Sequence, residues 1–131
     1  MITPLRVGVV GVGYLGRIHA KIYSQMPGVD LVGVVDIDRD ACDEVSGLHG
    51  CPGYIDPRAL IGKTDAVSIA VPTSVHGEVA LPYLDAGIHV LLEKPVAPTV
   101  AEAETIVAAA EERGLVLLIG HLNDSMRALW N

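Results

Sequence analysis

Leu5-Arg6-Val7-Gly8-Val9-Val10-Gly11-Val12-Gly13-Tyr14-Leu15-Gly16 reads as a buried strand running into a glycine-rich turn. The first six residues are mostly aliphatic and of strand length. The next six are G-x-G-x-x-G, after which Leu15, Ile18, Ile22 and Met26 recur at helical spacing until Pro27 and Gly28. That stripe is expected to be the inner face of the helix. In a strand–turn–helix unit each glycine has a task. Gly11 allows the tight turn, Gly13 lets the backbone approach a pyrophosphate, and Gly16 lets the helix sit close to the strand. The helix N-terminus, with Tyr14 and Leu15 in its first turn, then offers N–H groups and partial positive charge to phosphates.

Moving outward, Leu31 to Val35 is a second strand closed by Asp36, twenty residues after Gly16. A carboxylate there accepts hydrogen bonds from both ribose hydroxyls of an adenosine and repels a 2′-phosphate. Asp36, Ile37 and Arg39 form the adenosine-side set, which favours NAD over NADP. Arg39, as a phosphate partner, pulls the other way. Flavin and S-adenosylmethionine sites share this turn and acid, and an ordinary structural turn is the bland alternative.

Arg39 to His49 reads as a helix, followed by a break at Gly50, Pro52 and Gly53. A short strand near Tyr54, a helical turn over Pro57 to Ile61 and a strand over Ala66 to Val71 come next. Thr73 or Ser74 is placed to cap a helix with inner face Val75, Val79, Tyr83 and Ala86, ended by Gly87. Ile88 to Leu92 is a fifth strand. Thr99 with Glu102 spells a capping box for a helix packed through Ala103, Ile106, Val107 and Ala110. Gly114 ends that helix, and Leu115 to Ile119 is the sixth strand. Near-continuous apolar strands alternating with helices predict an α/β fold, a doubly wound parallel sheet of the Rossmann type. The expected domain is 1–121, with 122–131 a short tail or terminal helix.

The chain has 131 residues, half of them apolar, which suits one domain that folds without disulfide or metal. Its net charge of −7 argues against nucleic acid and anionic membrane as partners. No run is long and apolar enough for a membrane span, and no secretion signal is legible, so a cytoplasmic protein is expected. Cys42 and Cys51 stand alone, without C-x-x-C or paired histidines, and read as reduced structural thiols with no metal site.

Ligands of a doubly wound sheet lie beyond the C-terminal strand ends. Those ends carry Val71-Pro72-Thr73-Ser74-Val75-His76, then Glu93-Lys94-Pro95, then Gly120-His121. Here the chain resembles the Gfo/Idh/MocA oxidoreductases from residue 5 to about 121. Ala86-Gly87-Ile88-His89-Val90-Leu91-Leu92-Glu93-Lys94-Pro95 is similar to the family's A-G-x-H-V-x-x-E-K-P, and Gly11 to His19 and Pro72 to His76 add to the match.

The resemblance implies a nicotinamide-dependent dehydrogenase of a secondary alcohol in a sugar, cyclitol or nucleotide sugar. It implies that Lys94 stands beside the nicotinamide and the substrate hydroxyl, helping to move its proton, and that Glu93 aligns it. The peptide before Pro95 is often cis in such proteins. Val71, Pro72, Thr73 and His76 would run along the ribose and nicotinamide. The segments G-Y-L-G-R-I-H and G-H-L are similar to members acting on UDP-linked amino sugars. Read for packing alone, His19 and His89 are structural, Glu93 and Lys94 are an ion pair, and His76 caps a helix or meets solvent.

The chain departs from the family after Gly120-His121-Leu122, where R-F-N-P is replaced by Asn123 to Asn131. The family's second domain, which carries substrate pocket and dimer interface, has no counterpart in these residues. Cofactor binding with little turnover is therefore expected, and a sugar-like substrate only when a second domain or partner chain is supplied. Met126, Leu129 and Trp130 form an apolar stripe that either folds over the sheet or drives homo-oligomerisation. A non-enzymatic dinucleotide-binding or sensing module is the alternative reading.

Overall fold

The computed structural model describes residues 3–120. Six strands, β1 (Leu5–Val10), β2 (Val29–Val35), β3 (Gly53–Tyr54), β4 (Ala66–Ile69), β5 (His89–Leu92) and β6 (Leu117–Ile119), form one sheet. Four helices connect them: α1 (Tyr14–Gln25), α2 (Arg39–His49), α3 (His76–Asp85) and α4 (Val100–Glu112). The order is β3-β2-β1-β4-β5-β6, and every pairing is parallel. The sheet is doubly wound, as expected, and the chain reverses direction across it between β1 and β4.

Both faces are buried, which explains why the strands are apolar at consecutive positions. Val7, Val9 and Val34 pack with Ala20, Tyr23, Cys42 and Val45 beneath α1 and α2. Val10, Val35, Val67, Ile69 and Leu92 pack with Ala80, Tyr83, Leu84 and Ile106 beneath α3 and α4. On that second face the β3–β4 connection supplies Leu60, which is fully buried. Its methyl groups occupy the space where side chains on Gly8 and Gly33 would stand, 2.3 and 2.8 Å from the positions of their missing Cβ atoms.

The inner face of α1 meets the expectation only in part: Ile22 and Met26 pack against the core, while the first half of the stripe does not. Gly16, His19, Ala20 and Tyr23 are buried, while Leu15 and Ile18 are 36% and 39% exposed. Clearance is the reason: a Cβ on Gly16 would lie 1.7 Å from the Gly11 carbonyl oxygen. Only small residues fit along that line, and the rings of His19 and Tyr23 fill the space beyond it. The face of α3 is kept at Val79 and Tyr83, which pack into the core, but its start and end are corrected. Thr73 to Val75 form a 3-10 turn, Val75 occupies the N-cap position, and neither Thr73 nor Ser74 caps the helix. Its buried residues are His76, Ala80, Tyr83 and Leu84, and Ala86 lies exposed past its end. The 3-10 turn moves the helix start to His76 and rotates the face that meets the sheet.

Other boundaries shift by two residues or fewer: β2 begins at Val29, β4 stops at Ile69, β5 begins at His89 and β6 at Leu117. The helical turn expected over Pro57 to Ile61 falls within a run of tight turns, with hydrogen bonds from Ala59 N to Asp56 O and from Ile61 N to Arg58 O. The terminal signals of α4 hold, since Thr99 Oγ1 accepts from Glu102 N at 3.2 Å and Gly114 has φ +64°. Asp38 caps α2 by accepting from Asp40 N and Ala41 N. Cys42 and Cys51 are both buried free thiols. His121 and the expected terminal helix lie outside the described residues.

Candidate functional site

The reversal between β1 and β4 opens a cleft of about 650 Å³ at the C-terminal edge of the sheet. Gly11 turns the chain out of β1 with φ +95°, and a Cβ there would lie 2.4 Å from Ala70 O. Gly13 forms the lip and the N-cap of α1, with nothing within 4 Å of where its Cβ would be. No side chain caps this helix and its first turn holds no acid. The first intrahelical bond runs from Arg17 N to Gly13 O, so the earlier N–H groups have no partner within the helix. Such an end attracts an anion.

Asp36 closes the cleft on the β2 side. Its Oδ2 accepts from Val12 N at 2.8 Å and its Oδ1 from Asp38 N at 2.9 Å. Two backbone donors thus fix the carboxylate against the glycine turn, and a carboxylate retains lone pairs for two more donors. Arg17 braces the same turn from α1: its Nε donates to Val12 O at 3.1 Å and its guanidinium pairs with Glu44 of α2 at 2.8 Å. That pairing raises the Arg17 pKa and lowers that of Glu44.

Of the residues expected at the site, Gly11, Gly13, Asp36, Ile37, Val71 and Pro72 line this cleft. Tyr14 is 86% exposed on the first turn of α1, beside Leu15, and Gly16 is buried against the turn. Arg39 faces a separate hollow with Cys42, Asp43 and Tyr54. Thr73 begins the 3-10 turn. His76 is buried behind the cleft, with Nε2 3.0 Å from Val71 O and Nδ1 3.0 Å from Val96 O. Its side chain caps no helix and is buried from solvent, while its backbone N–H closes the 3-10 turn on Thr73 O. Both ring nitrogens thus lie within hydrogen-bond distance of a backbone carbonyl oxygen.

The end of β5 is a second centre. Lys94 is exposed, its peptide with Pro95 is cis, and its Cε lies 3.9 Å from where a Cβ on Gly120 would be. Glu93 contacts His19 of α1, with Oε1 to Nε2 at 3.4 Å, rather than Lys94. Burial lowers the His19 pKa, partly offset by the Glu93 carboxylate. His89 accepts from Val116 N at 2.9 Å and ties β5 to the approach of β6. From Asp36 at β2 to Lys94 at β5 is three strand spacings, roughly 14 Å.

Asp56, Pro57, Arg58, Glu78 and Val79 also line the cleft and were not anticipated. Asp56 and Pro57 follow β3, so the strand-end rule applied to the two-residue β3 would have found them. Glu78 and Val79 come from the first turn of α3, whose start was misplaced. His19 carried no signal beyond its place after the glycine turn.

The family described as "Oxidoreductase family, NAD-binding Rossmann fold" matches residues 5–121. The chain is 42% identical over 118 residues to UDP-N-acetylglucosamine 3-dehydrogenase from Acidithiobacillus ferrooxidans, covering 90% of this chain and 37% of that protein. It is 34% identical over 119 residues to D-glucoside 3-dehydrogenase from Escherichia coli K12, covering 88% and 34%. The solved structure of GenD2 from gentamicin A biosynthesis in complex with NAD superposes with a TM-score of 0.87 at 34% identity, covering 92% of this chain and 35% of that one. The chain therefore spans little more than a third of the length of these relatives. By its glycine turn, sheet order and match over residues 5–121, it belongs to the Gfo/Idh/MocA family of oxidoreductases, as the NAD-binding Rossmann domain.

Proposed function

We propose that residues 1–121 form the cofactor-binding unit of an NAD-dependent dehydrogenase that oxidises a secondary alcohol of a sugar or nucleotide sugar. The observation that carries the choice of NAD is Asp36, held by the Val12 and Asp38 N–H groups at the mouth of the cleft. Asp36, Asp56 and Glu78 outweigh Arg58 along the cleft, and Arg39 lies in the neighbouring hollow, so the local charge disfavours a 2′-phosphate. Similarity to a UDP-N-acetylglucosamine 3-dehydrogenase supports the nucleotide-sugar class.

In this reading the turn from Gly11 to Gly16, with the Tyr14 and Leu15 N–H groups, holds the pyrophosphate. Asp36 and Ile37 meet the adenosine ribose, and Val71, Pro72 and Thr73 follow the second ribose. Lys94 stands at the nicotinamide end, where it orients the substrate hydroxyl and takes part in moving its proton. NAD held there would supply the hydride acceptor. His76 acts from behind by fixing Val71 and Val96, and Glu93 aligns the lysine. The sugar is held by parts of the protein beyond this unit, since hydride transfer requires the alcohol near attack distance.

Calorimetric titration with NAD⁺ and NADP⁺ tests the reading. The expected result is tighter binding of NAD⁺, reduced about tenfold or more in Asp36→Ala, the scale of a hydrogen bond to a charged group. Equal affinity for both nucleotides, unchanged by the substitution, would remove Asp36 from the site.

A further inference from the structure

The lysine corner at the end of β5 is held from behind by a histidine of another element. His19 sits in the second turn of α1 and is 1% exposed. Its Nε2 lies 3.4 Å from Glu93 Oε1, and the Glu93 side chain is 19% exposed. Around it on the inner face of α1 are Gly16, Ala20 and Tyr23, whose ring meets the imidazole edge-on at 6.5 Å. Among the described residues, neither His19 Nδ1 nor Glu93 Oε1 has a hydrogen-bond partner, so the 3.4 Å approach of Nε2 to Oε1 is a close polar contact rather than a hydrogen bond. A buried polar atom without a partner is costly, so an apolar ring would serve packing better at this position. What the imidazole adds is its reach to Glu93.

Glu93 is the residue before Lys94. We propose that His19 is a positioning residue: by fixing the Glu93 carboxylate it ties the lysine corner to α1, the helix whose N-terminus faces the pyrophosphate site. One rigid helix then sets both the phosphate-binding end and the backing of the nicotinamide end. His76 holds the other side of the same corner through Val96 O. Both histidines act on the corner without lining the cleft. The inference rests on the cofactor reading above and extends it.

The test compares NADH, followed by its fluorescence, with ADP-ribose, which lacks the nicotinamide. Both are titrated into the wild-type chain, His19→Phe and His19→Asn. His19→Phe is expected to weaken NADH about fivefold, the upper scale of a polar contact that is not a full hydrogen bond, and to leave ADP-ribose within twofold. His19→Asn keeps a donor and is expected to recover part of the loss. Equal losses for both ligands would mean that His19 only shapes α1, and no loss for either would mean that the contact is idle. Each overturns the proposal. Glu93→Ala removes the contact from its more exposed side and must reproduce the NADH-selective loss, which settles the matter if His19→Phe does not fold. A wild-type chain that binds neither ligand contradicts the cofactor reading itself and removes this inference with it.

Discussion

Gly11, Gly13 and Gly16 lie within six residues, yet a methyl group on each would meet different surroundings. On Gly11 it would press on Ala70 O at 2.4 Å with φ at +95°, and on Gly16 on Gly11 O at 1.7 Å. Alanine at either is expected to cost at least ~2 kcal/mol in a chemical-denaturation midpoint, from overpacking and a disfavoured backbone. On Gly13 it would meet nothing within 4 Å. Gly13→Ala is therefore expected to leave stability within about 0.5 kcal/mol. His19 gives a second prediction at this scale. Burial beside Tyr23 holds its pKa below 6.5, so the folded state disfavours the proton that the unfolded chain accepts. The stability from this difference is complete above about pH 6.5 and is lost as pH falls toward the folded value. Melting temperatures between pH 8 and 5 are expected to fall more steeply for wild type than for His19→Phe, and identical slopes would refute a neutral buried His19.

At the scale of the element, capping is testable apart from the site. Thr99 Oγ1 accepts from Glu102 N at the start of α4, on the far side of β5 from the glycine turn. Thr99→Ala is expected to cost ~1 kcal/mol and to leave nucleotide affinity unchanged, as checked by denaturation and calorimetry on the same sample. This cap was legible because Thr-x-x-Glu before an apolar period has a local cause. The inner faces of α1 and α3 were legible only in part, at Ile22, Met26, Val79 and Tyr83. For α1 the approach to the sheet selects Gly16 and Ala20, which carry little hydrophobic weight, and leaves Leu15 and Ile18 partly exposed. For α3 the 3-10 turn over Thr73 to Val75 shifts the phase, and no local residue announces it. Strand order was legible from connection rules, and the strand-end clusters were legible as residues. Which of them share a cleft depends on contacts between distant segments, as between Asp36 and Val12, or Glu93 and His19.

Across the whole molecule, the cleft joins the ends of β1, β2 and β4, while Lys94 stands beyond it on β5. The relatives carry nearly two thirds of their length outside the matched stretch. The 131-residue chain is accordingly expected to bind NAD⁺ yet to reduce it with UDP-N-acetylglucosamine no faster than its Lys94→Ala variant, followed at the NADH absorbance band. Turnover that depends on Lys94 would show that these residues suffice to hold the alcohol. In the proposed function the glycine turn serves a pyrophosphate as well as the fold. The most direct test of that role is NAD⁺ calorimetry on wild type and Gly13→Ala, with a melting curve for each. Saturable binding to wild type and a loss of at least tenfold in Gly13→Ala are expected, at an unchanged melting temperature. Equal binding by two equally stable chains would contradict it.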